Sequence, residues 1–293
     1  MANCPNCRQM QIALFNAQDE NRRLPGEFPY VRCPGCGWIS CAEPPTDLGR
    51  YYPEIYYDIP SYSEITRRAT AETNKIATIK KFKNGGRLLE VGPAFGAFAL
   101  RAQTEGFSVT CIERDRRCCD FLTSTLSLNT ICADDPIAAL RQLPRFDVIA
   151  LWHVIEHLPA PLEFLSAAAE NLVPGGILAI GTPNPLAWQF QVMGCHWPHV
   201  DAPRHLHLMP ASALVDYGRG QGLEECHLDS DDSDARSWNR FGWQRLFMNR
   251  IPGKAGVFIG WPIGVAIGMV TRPSEARKMR GSAYTLLLRK GAR

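Results

Sequence analysis

The chain has 293 residues, of which 45 % are hydrophobic and 21 % charged, and this indicates a soluble globular protein with one large domain and a small appendage. The formal net charge is +3, but residues 1–234 hold 20 Lys and Arg against 28 Asp and Glu, and this acidic balance argues against a nucleic-acid-binding protein. Residues 235–293 hold 12 basic residues against one acidic residue, which predicts an anionic partner for this segment.

The first ten residues, MANCPNCRQM, have neither the basic leader nor the apolar core of a secretory signal, which predicts a cytoplasmic protein. Two Cys-x-x-Cys pairs follow, Cys4 with Cys7 and Cys33 with Cys36. In a reducing compartment this spacing is typical of a tetrahedral zinc site rather than of disulfides. We therefore predict a zinc ribbon at residues 1–43, and we favour a structural zinc over a nucleic-acid-binding role because few Lys and Arg lie between the pairs.

A tyrosine-rich join, RYYPEIYYDIPSY, lies at residues 50–62. It is predicted either to pack the ribbon against the body or to form an aromatic wall over a substrate. Apolar residues then recur at helical spacing, which predicts one helix leading into the main domain. These residues are Ile65, Ala69, Ile76, Ile79 and Phe82. We assign the join and this helix to residues 44–84.

From Arg87 onward apolar runs alternate with amphipathic segments. This alternation predicts parallel strands covered by helices on both faces, which is a doubly wound, Rossmann-like α/β fold over residues 85–293. A helix is expected over residues 211–220, and further strands at LEECHL and AYTLLLR bring the sheet to seven strands.

The first of these strands ends in the turn Gly92-Pro93-Ala94-Phe95-Gly96, with Glu90 two places before it. A dinucleotide-binding turn would read G-x-G-x-x-G, and two of those positions fail here. The pattern resembles motif I of the class I S-adenosylmethionine (SAM) dependent methyltransferases, with Ala94 in place of the middle Gly. Residues 146–184, which contain EHL, resemble motifs IV to V of that family. The chain also has the four-cysteine ribbon and, further on, the segment DAPRHLHLMPASAL. Taken together, residues 1–229 and the last strand are similar to bacterial methyltransferases with an N-terminal zinc ribbon.

The resemblance implies SAM as the cosubstrate and a set of residues that bind it. Glu113 would accept the ribose hydroxyls and Asp134 would meet the adenine amino group. Trp152 and His153 would line the site. The whole implied set is Glu90, Gly92, Ala94, Phe95, Gly96, Glu113, Asp134, Trp152 and His153.

Methyl transfer to a hydroxyl is helped by a base, and His is the usual choice because it titrates near neutrality. Histidines follow the fourth and fifth predicted strands, at the carboxyl ends where such sheets bind ligands. We predict His157 and His205 as the first candidates for this base and His207 as a third.

Three alternatives remain open around these histidines. Glu156 is predicted to begin a helix, where a carboxylate complements the helix N-terminus. RHLHL is interpreted either as part of the site or as an edge segment in which Arg204 pairs with Asp201. Trp197 is expected to stack on an acceptor ring or to fill the core.

The predicted function is therefore SAM-dependent methyl transfer to a hydroxyl of a small molecule or of a sugar-bearing acceptor, and lipid-linked acceptors are included. An RNA methyltransferase and a noncatalytic SAM-binding scaffold are the alternatives. A glycan is included among the predicted acceptors, whereas nucleic acid is not favoured.

Residues 236–270, within an insertion at about 230–281, lie outside the resemblance. Five basic residues are interleaved with aromatic ones, and then 16 apolar residues carry glycines at every fourth position, Gly256, Gly260, Gly264 and Gly268. At about 1.5 Å per residue this helix spans roughly 24 Å, short of a ~30 Å hydrocarbon core, which argues against a transmembrane helix. The glycines are predicted to pack against the main domain. The alternative is that the segment seats the enzyme on an anionic membrane surface, peripheral to its inner face.

Overall fold

Two sheets organise the protein in a computed structural model that describes residues 3–52, 58–251 and 253–292. Residues 53–57 of the tyrosine-rich join lie outside the described residues. The strands in chain order are β1 (Ile12–Ala17), β2 (Phe28–Arg32), β3 (Ile39–Cys41), β4 (Gly86–Val91), β5 (Phe107–Glu113), β6 (Asn129–Cys132), β7 (Phe146–Trp152), β8 (Leu172–Pro183), β9 (His207–Leu208), β10 (Leu223–Asp229) and β11 (Ala283–Lys290).

Helices cover both faces of the larger sheet and connect most of its strands. They are α1 (Tyr62–Ala71), α2 (Thr73–Lys80), α3 (Ala97–Thr104), α4 (Arg116–Ser124), α5 (Pro136–Arg141), α6 (Pro161–Asn171), α7 (Trp188–Met193), α8 (Ala211–Gly220), α9 (Ser233–Arg250) and α10 (Trp261–Glu275). The predicted helix at residues 211–220 is confirmed.

The larger sheet has seven strands in the order β10-β11-β8-β7-β4-β5-β6, which confirms the predicted doubly wound fold. Leu88, Ile149 and Leu178 in its central strands have no exposed surface, because helices lie on both faces. The pairing departs from an all-parallel sheet at β11, which is antiparallel to both β8 and β10. The reason is the connection: α9 and α10 return the chain to the edge where β10 ended, so β11 must run in the opposite direction.

The predicted leading helix is two helices, α1 and α2, which meet at Glu72. Ser61 caps α1 by accepting a hydrogen bond from the N–H of Glu64. The expected core residues Ile65, Ile76 and Ile79 are buried, so the apolar spacing was interpreted correctly but the break was missed.

The smaller sheet, in the order β1-β2-β3-β9, joins the N-terminal ribbon to the body, because β9 comes from the body and pairs with β3. Trp38 Nε1 donates to His207 Nδ1 at 3.2 Å, and the Tyr30 hydroxyl donates to the carbonyl of His205 at 2.8 Å. The ribbon predicted over residues 1–43 therefore completes its sheet with a strand from outside that range.

Candidate cofactor site and acceptor cavity

The turn after β4 takes a left-handed backbone at three positions: φ is +65° at Gly92, +49° at Ala94 and +76° at Gly96. A Cβ on Gly92 would lie 2.7 Å from the side chain of Val154, and one on Gly96 would lie 2.4 Å from Leu122. Glycine is therefore required at both ends of the turn for close packing, whereas Ala94 is held in a conformation that costs a residue with a Cβ some strain.

Glu113 at the end of β5 holds this turn in place. Its Oε2 accepts from the N–H of Ala94 at 2.9 Å, and its Oε1 accepts from the N–H groups of Arg114 and Asp115 at 2.7 and 2.9 Å. A carboxylate offers about four acceptor positions, so one remains on Oε2. A bidentate bond to two ribose hydroxyls therefore requires Glu113 to release or share the N–H of Ala94.

Glu90 and Trp152 each leave a buried polar atom without a partner among the described residues, Glu90 Oε2 and Trp152 Nε1. Burial, followed by the nearby Glu72 carboxylate, raises the pKa of Glu90 to about 8. Lys75 lies over the Trp152 ring at 4.8 Å. Glu90 lies in β4, Trp152 in β7 and Lys75 in α2. The sequence alone predicted no role for Lys75.

Two other residues implied by the resemblance occupy different surroundings. Phe95 is buried and packs edge-to-face on Phe121, with ring centroids 5.8 Å apart. The side chain of Asp134 is 92 % exposed and lies 3.6 Å from Arg114 Nε. Phe95 thus supports the turn from beneath, and Asp134 lies at the solvent-facing rim after β6.

A cavity of about 510 Å³ opens at the carboxyl ends of β7 and β8. His153, Glu156 and His157 line it from the loop after β7, and Asp201, Arg204 and His205 line it from the segment before β9. The ribbon and α9 supply the remaining walls. The residues of the Gly92–Gly96 turn are not among those that line the cavity, but Val154, which packs against Gly92, directly follows the lining residue His153.

His157 and His205, the two first candidates for the base, lie together in this cavity with ring centroids 4.6 Å apart. The Nδ1 of each lies within hydrogen-bonding distance of a backbone carbonyl, 2.9 Å from that of Arg204 for His157 and 2.8 Å from that of His199 for His205. With Nδ1 donating, Nε2 carries the lone pair in both rings.

Glu156 is fully buried beside the two histidines, in a 3₁₀ turn, whereas α6 begins at Pro161. The prediction that Glu156 begins a helix was therefore wrong, because the turn ends before Pro159 and points the carboxylate inward. Its Oε2 accepts from the hydroxyl of Thr182 at 2.9 Å, and its Oε1 lies 4.0 Å from His205 Nε2. Burial raises the pKa of Glu156, but His153 and the neighbouring histidines outweigh this and lower it to about 2.

The ligand atoms of Glu156, His157 and His205 lie within 4.8 Å of one another, so these side chains could also hold a metal ion. In His157 the pKa is lowered to about 4, by burial and then by the positive charge that His205 gains on protonation. His157 is therefore neutral at physiological pH.

His153 forms a charged group with residues far away in sequence. Its Nε2 lies 2.8 Å from Asp234 Oδ2, and its ring lies 4.5 Å from that of Trp238. Burial lowers the pKa of His153, but Asp234 and Glu156 outweigh this and raise it to about 9. Asp234 and Trp238 belong to α9, in the segment outside the sequence resemblance.

The third candidate base, His207, does not line the cavity. It lies in β9, where its Nδ1 accepts from Trp38 and lies 3.3 Å from the hydroxyl of Ser40. Because these contacts of Nδ1 join the ribbon to the body, His207 is not suited to be the base. Trp197 is fully buried and donates to Gln189, which makes it a core residue.

The predicted pairing of Arg204 with Asp201 is confirmed, and RHLHL both provides the edge strand β9 and lines the cavity with Arg204 and His205. The Arg204 guanidinium bonds Asp201 at 2.7 and 2.9 Å and Asp19 at 2.6 and 3.0 Å, with 1 % of its side chain exposed. Asp19 belongs to the ribbon. This buried pair of carboxylates around one guanidinium fixes the segment that carries His205.

Arg22 and Arg245 add positive charge to the other side of the cavity. Arg245 donates to the backbone carbonyl of Asn21, while its Nε is buried with no partner among the described residues. Burial, and then repulsion by Arg22 and Arg23, lowers the pKa of Arg245. Arg204 is neutralised by its own carboxylates, whereas Arg245 presents a buried guanidinium to this wall.

The four thiols of the ribbon come together as expected for a metal centre. Cys4 Sγ lies 3.5 Å from Cys36 Sγ, and Cys7 Sγ lies 3.3 Å from Cys33 Sγ. All four lie within 4.8 Å of one another. A tetrahedral zinc with bonds of about 2.3 Å separates its sulfurs by about 3.8 Å, so the arrangement fits zinc after small adjustments.

Comparison with known proteins agrees with this geometry. Residues 62–228 match the family described as "Methyltransferase domain". The ubiquinone biosynthesis O-methyltransferase of Cereibacter sphaeroides is 31 % identical over 132 residues, which are 43 % of this chain and 50 % of that protein. The protein of the same name from Saccharophagus degradans is 26 % identical over 149 residues, 47 % of this chain and 63 % of that protein. The chain thus spans between 35 % and 66 % of the length of these and similar curated relatives.

Two solved structures resemble the fold. A SAM-dependent methyltransferase from Archaeoglobus fulgidus aligns with a TM-score of 0.51 and 19 % identity, covering 78 % of this chain and 98 % of that chain. The [4+2]-cyclase SpnF aligns with a TM-score of 0.50 and 20 % identity, covering 76 % and 81 %. At these identities the likeness concerns the fold alone. Because the family match covers more than half of the sequence, the chain belongs to the methyltransferase domain family, and its fold is that of the SAM-dependent methyltransferases.

Proposed function

We propose that this protein transfers the methyl group of SAM to a hydroxyl of a small acidic molecule. The observation that carries the proposal is the cavity at the carboxyl ends of β7 and β8, in which His205 and His157 present Nε2 next to a buried Glu156. The curated relatives named as O-methyltransferases support a hydroxyl as the acceptor.

The buried polar atoms at the ends of β4 and β7 suit SAM. Glu90 Oε2 needs a donor and Trp152 Nε1 needs an acceptor. The methionine end of SAM carries an amino group, which would donate to Glu90, and a carboxylate, which would accept from Trp152. Glu113 would bind the ribose through its remaining acceptor position, and SAM supplies a methyl group on a positively charged sulfur.

His205 is assigned as the base. As the acceptor oxygen bonds to the methyl carbon and the carbon–sulfur bond breaks, the hydroxyl proton moves to His205 Nε2. The imidazolium formed there lies 4.0 Å from Glu156 Oε1 and 3.9 Å from Asp201 Oδ2, which stabilise its charge. His157 is less suited, because its lowered pKa makes it the weaker base.

We infer from the buried guanidinium of Arg245 that the acceptor carries an acidic group. Arg245 offers its buried Nε, and Trp238 and Phe241 of the same helix line the cavity beside it. A carboxylate or phosphate on a hydroxylated ring would use both features. A sugar-bearing or lipid-linked acceptor fits the same description.

We assign zinc to Cys4, Cys7, Cys33 and Cys36 as a structural ion. Four thiolates would complete its coordination and leave no position for water, so zinc takes no part in methyl transfer. Its role would be to hold the ribbon against β9 and thereby position His205.

The test is methyl transfer from radiolabelled SAM to a panel of hydroxybenzoic and uronic acids. His205→Asn is expected to lower kcat by about 10² to 10⁴ and to leave SAM affinity unchanged. His196→Asn, an exposed histidine that pairs with Glu20, is the matched control and should act like the wild type. Equal kcat in His205→Asn would reject the base assignment, and SAM binding with no transfer to any hydroxylated acid would reject the function. If a chelator abolishes activity while the ribbon keeps its zinc, His205 would instead be a metal ligand.

A further inference from the structure

Helices α9 and α10 form a hairpin in which Gly264 of α10 and the glycines of the π-helical turn Gly256–Gly260 face α9. A Cβ on Gly260 would lie 2.7 Å from the backbone of Phe247, and one on Gly264 would lie 2.4 Å from the backbone of Gln244. Gly256, in the π-helical turn before α10, meets the carbonyl of Met248 in the same way. The prediction that these glycines mark a close packing face is confirmed, but the expected partner was wrong: the face packs on α9 and not on the main domain.

The outer side of the hairpin is apolar and exposed. Phe258 and Val270 each expose 77 % of their surface and Met269 exposes 68 %. Val257, Ile259, Trp261 and Ile263 are also exposed. We call these seven side chains the hairpin surface. The helical stretch Gly256–Glu275 is long and apolar enough to cross a membrane by length and composition, and only 17 % of its apolar window is buried. Exposed apolar surface of this extent marks a binding site.

The exposed charged residues among residues 235–275, which form the hairpin, have one sign. Arg240, Arg250 and Lys254 are exposed on α9 and at the tip of the hairpin. Glu275 is the one acidic residue in residues 235–293, and it is 1 % exposed. A bilayer with anionic lipid offers both complements, hydrocarbon for the apolar side chains and phosphate for the cations.

The base of the hairpin is fastened to the body, which limits how deeply the hairpin can enter a bilayer. Glu275 Oε1 accepts from Trp243 Nε1 at 2.6 Å and from Gln189 Nε2 at 2.9 Å. Gln189 belongs to α7 and so ties α10 to the domain. The polar base cannot enter hydrocarbon without breaking this buried network, so the hairpin lies in the interface and does not span the membrane.

We propose that the hairpin surface docks this protein on an anionic bilayer and that α9 links the docked hairpin to the acceptor cavity. Trp238, Phe241 and Arg245 line the cavity from α9, whereas Gln244 and Phe247 of the same helix contact α10. One helix, about 10 Å thick, therefore separates the membrane-facing helix from the cavity. The acceptor class that follows is an amphipathic or lipid-linked acid, and this last step rests on the proposed function.

The test of docking is flotation of the full chain with phosphatidylcholine vesicles, with and without phosphatidylglycerol, at low and high salt. The chain is expected to float with phosphatidylglycerol vesicles at low salt and to detach as salt screens the cations. No flotation under these conditions overturns the proposal. Flotation is measured without methyl transfer, so a chain that docks but transfers no methyl group would refute the proposed function and leave docking in place.

Two variants separate the apolar and charged contributions. Phe258→Ser should reduce vesicle partitioning by roughly tenfold, the value of one buried aromatic side chain. Arg250→Gln with Lys254→Gln should reduce it by about fivefold per cation. Met10→Ser, an exposed apolar residue of the ribbon, and Arg67→Gln, an exposed cation of α1, are the controls and should leave partitioning unchanged.

Calorimetric SAM affinity checks that each variant is folded. Partitioning that survives both hairpin variants would overturn the proposal. So would a dimer in solution that Phe258→Ser dissociates, because the hairpin surface would then be occupied by a second copy of the chain.

Discussion

Glu113 Oε2 accepts a hydrogen bond from the backbone N–H of Ala94 at 2.9 Å, and this bond joins the end of β5 to the turn between β4 and α3. Ala94 has a positive φ, which an Ala side chain disfavours. The carboxylate therefore holds the turn in a conformation that its own sequence does not favour. The residue implied to bind ribose also shapes the turn against which SAM would lie.

Glu113→Ala is expected to weaken SAM binding at least tenfold in calorimetry, because losing a charged acceptor costs about 1.5 to 3 kcal/mol. Glu163→Ala, which removes an exposed carboxylate paired with Arg141, is the control. S-adenosylhomocysteine analogues lacking one ribose hydroxyl separate the two roles of Glu113. If the variant loses as much affinity for these analogues as for the parent compound, Glu113 acts only through the turn.

Elemental analysis of freshly purified, never-chelated protein should find one zinc per chain, because Cys4, Cys7, Cys33 and Cys36 form a closed donor set. Cys33→Ser should lower zinc occupancy and the free energy of unfolding together, since metal binding is coupled to folding of the ribbon. Cys195→Ser, a half-buried thiol outside the cluster, is the comparison. A zinc-free wild-type protein would contradict the assignment.

Arg204→Ala should destabilise the fold by about 3 to 5 kcal/mol, because it leaves Asp19 and Asp201 buried without their cation. Arg219→Ala removes an exposed ion pair with Asp216 and should change stability by less than about 0.5 kcal/mol. Urea unfolding measures both. Similar free energies of unfolding for the two variants would show that Arg204 does not hold the ribbon to the body.

Acid should destabilise the protein through its buried neutral histidines. Burial lowers the pKa of His199 to about 3 and is also the leading cause that lowers the pKa of His207 to about 4. Between these values and about 6.5 the unfolded chain binds protons that the folded chain does not, so the free energy of unfolding falls as pH drops.

His199→Asn should reduce the slope of the free energy of unfolding against pH by about 1.4 kcal/mol per pH unit near pH 5, because one fewer proton is taken up on unfolding. Denaturant unfolding at several pH values gives the slope. An unchanged slope would mean that His199 titrates normally in the folded protein. His153, whose pKa is raised to about 9, should act in the opposite direction, with its stabilisation lost as pH rises from about 6.5 to 9.

The site shows where inference from the sequence stops. Glu90, Gly92 and Gly96 were recognisable because they lie in one short stretch between a strand and a helix. Lys75 and Asp234 were not, although they contact each other at 3.2 Å, because 159 residues separate them in sequence and neither belongs to a motif. His207 was grouped with His205 because both occur in RHLHL. His207 lies in β9 and accepts from Trp38 of the ribbon, whereas His205 precedes β9 and lines the cavity.

The sequence by itself determined the alternation of strands and helices, the glycine turn and the cysteine pairs, because each depends on hydrophobic periodicity or on residues only a few positions apart. Only the tertiary structure decided the direction of β11, the break at Glu72, the surroundings of each histidine and the partner of the glycines at Gly256–Gly264. These depend on contacts between segments distant in sequence, such as Arg204 with Asp19 and Gly264 with Gln244. The pattern of a single segment identifies the face that must be covered, but the rest of the folded chain determines what covers it.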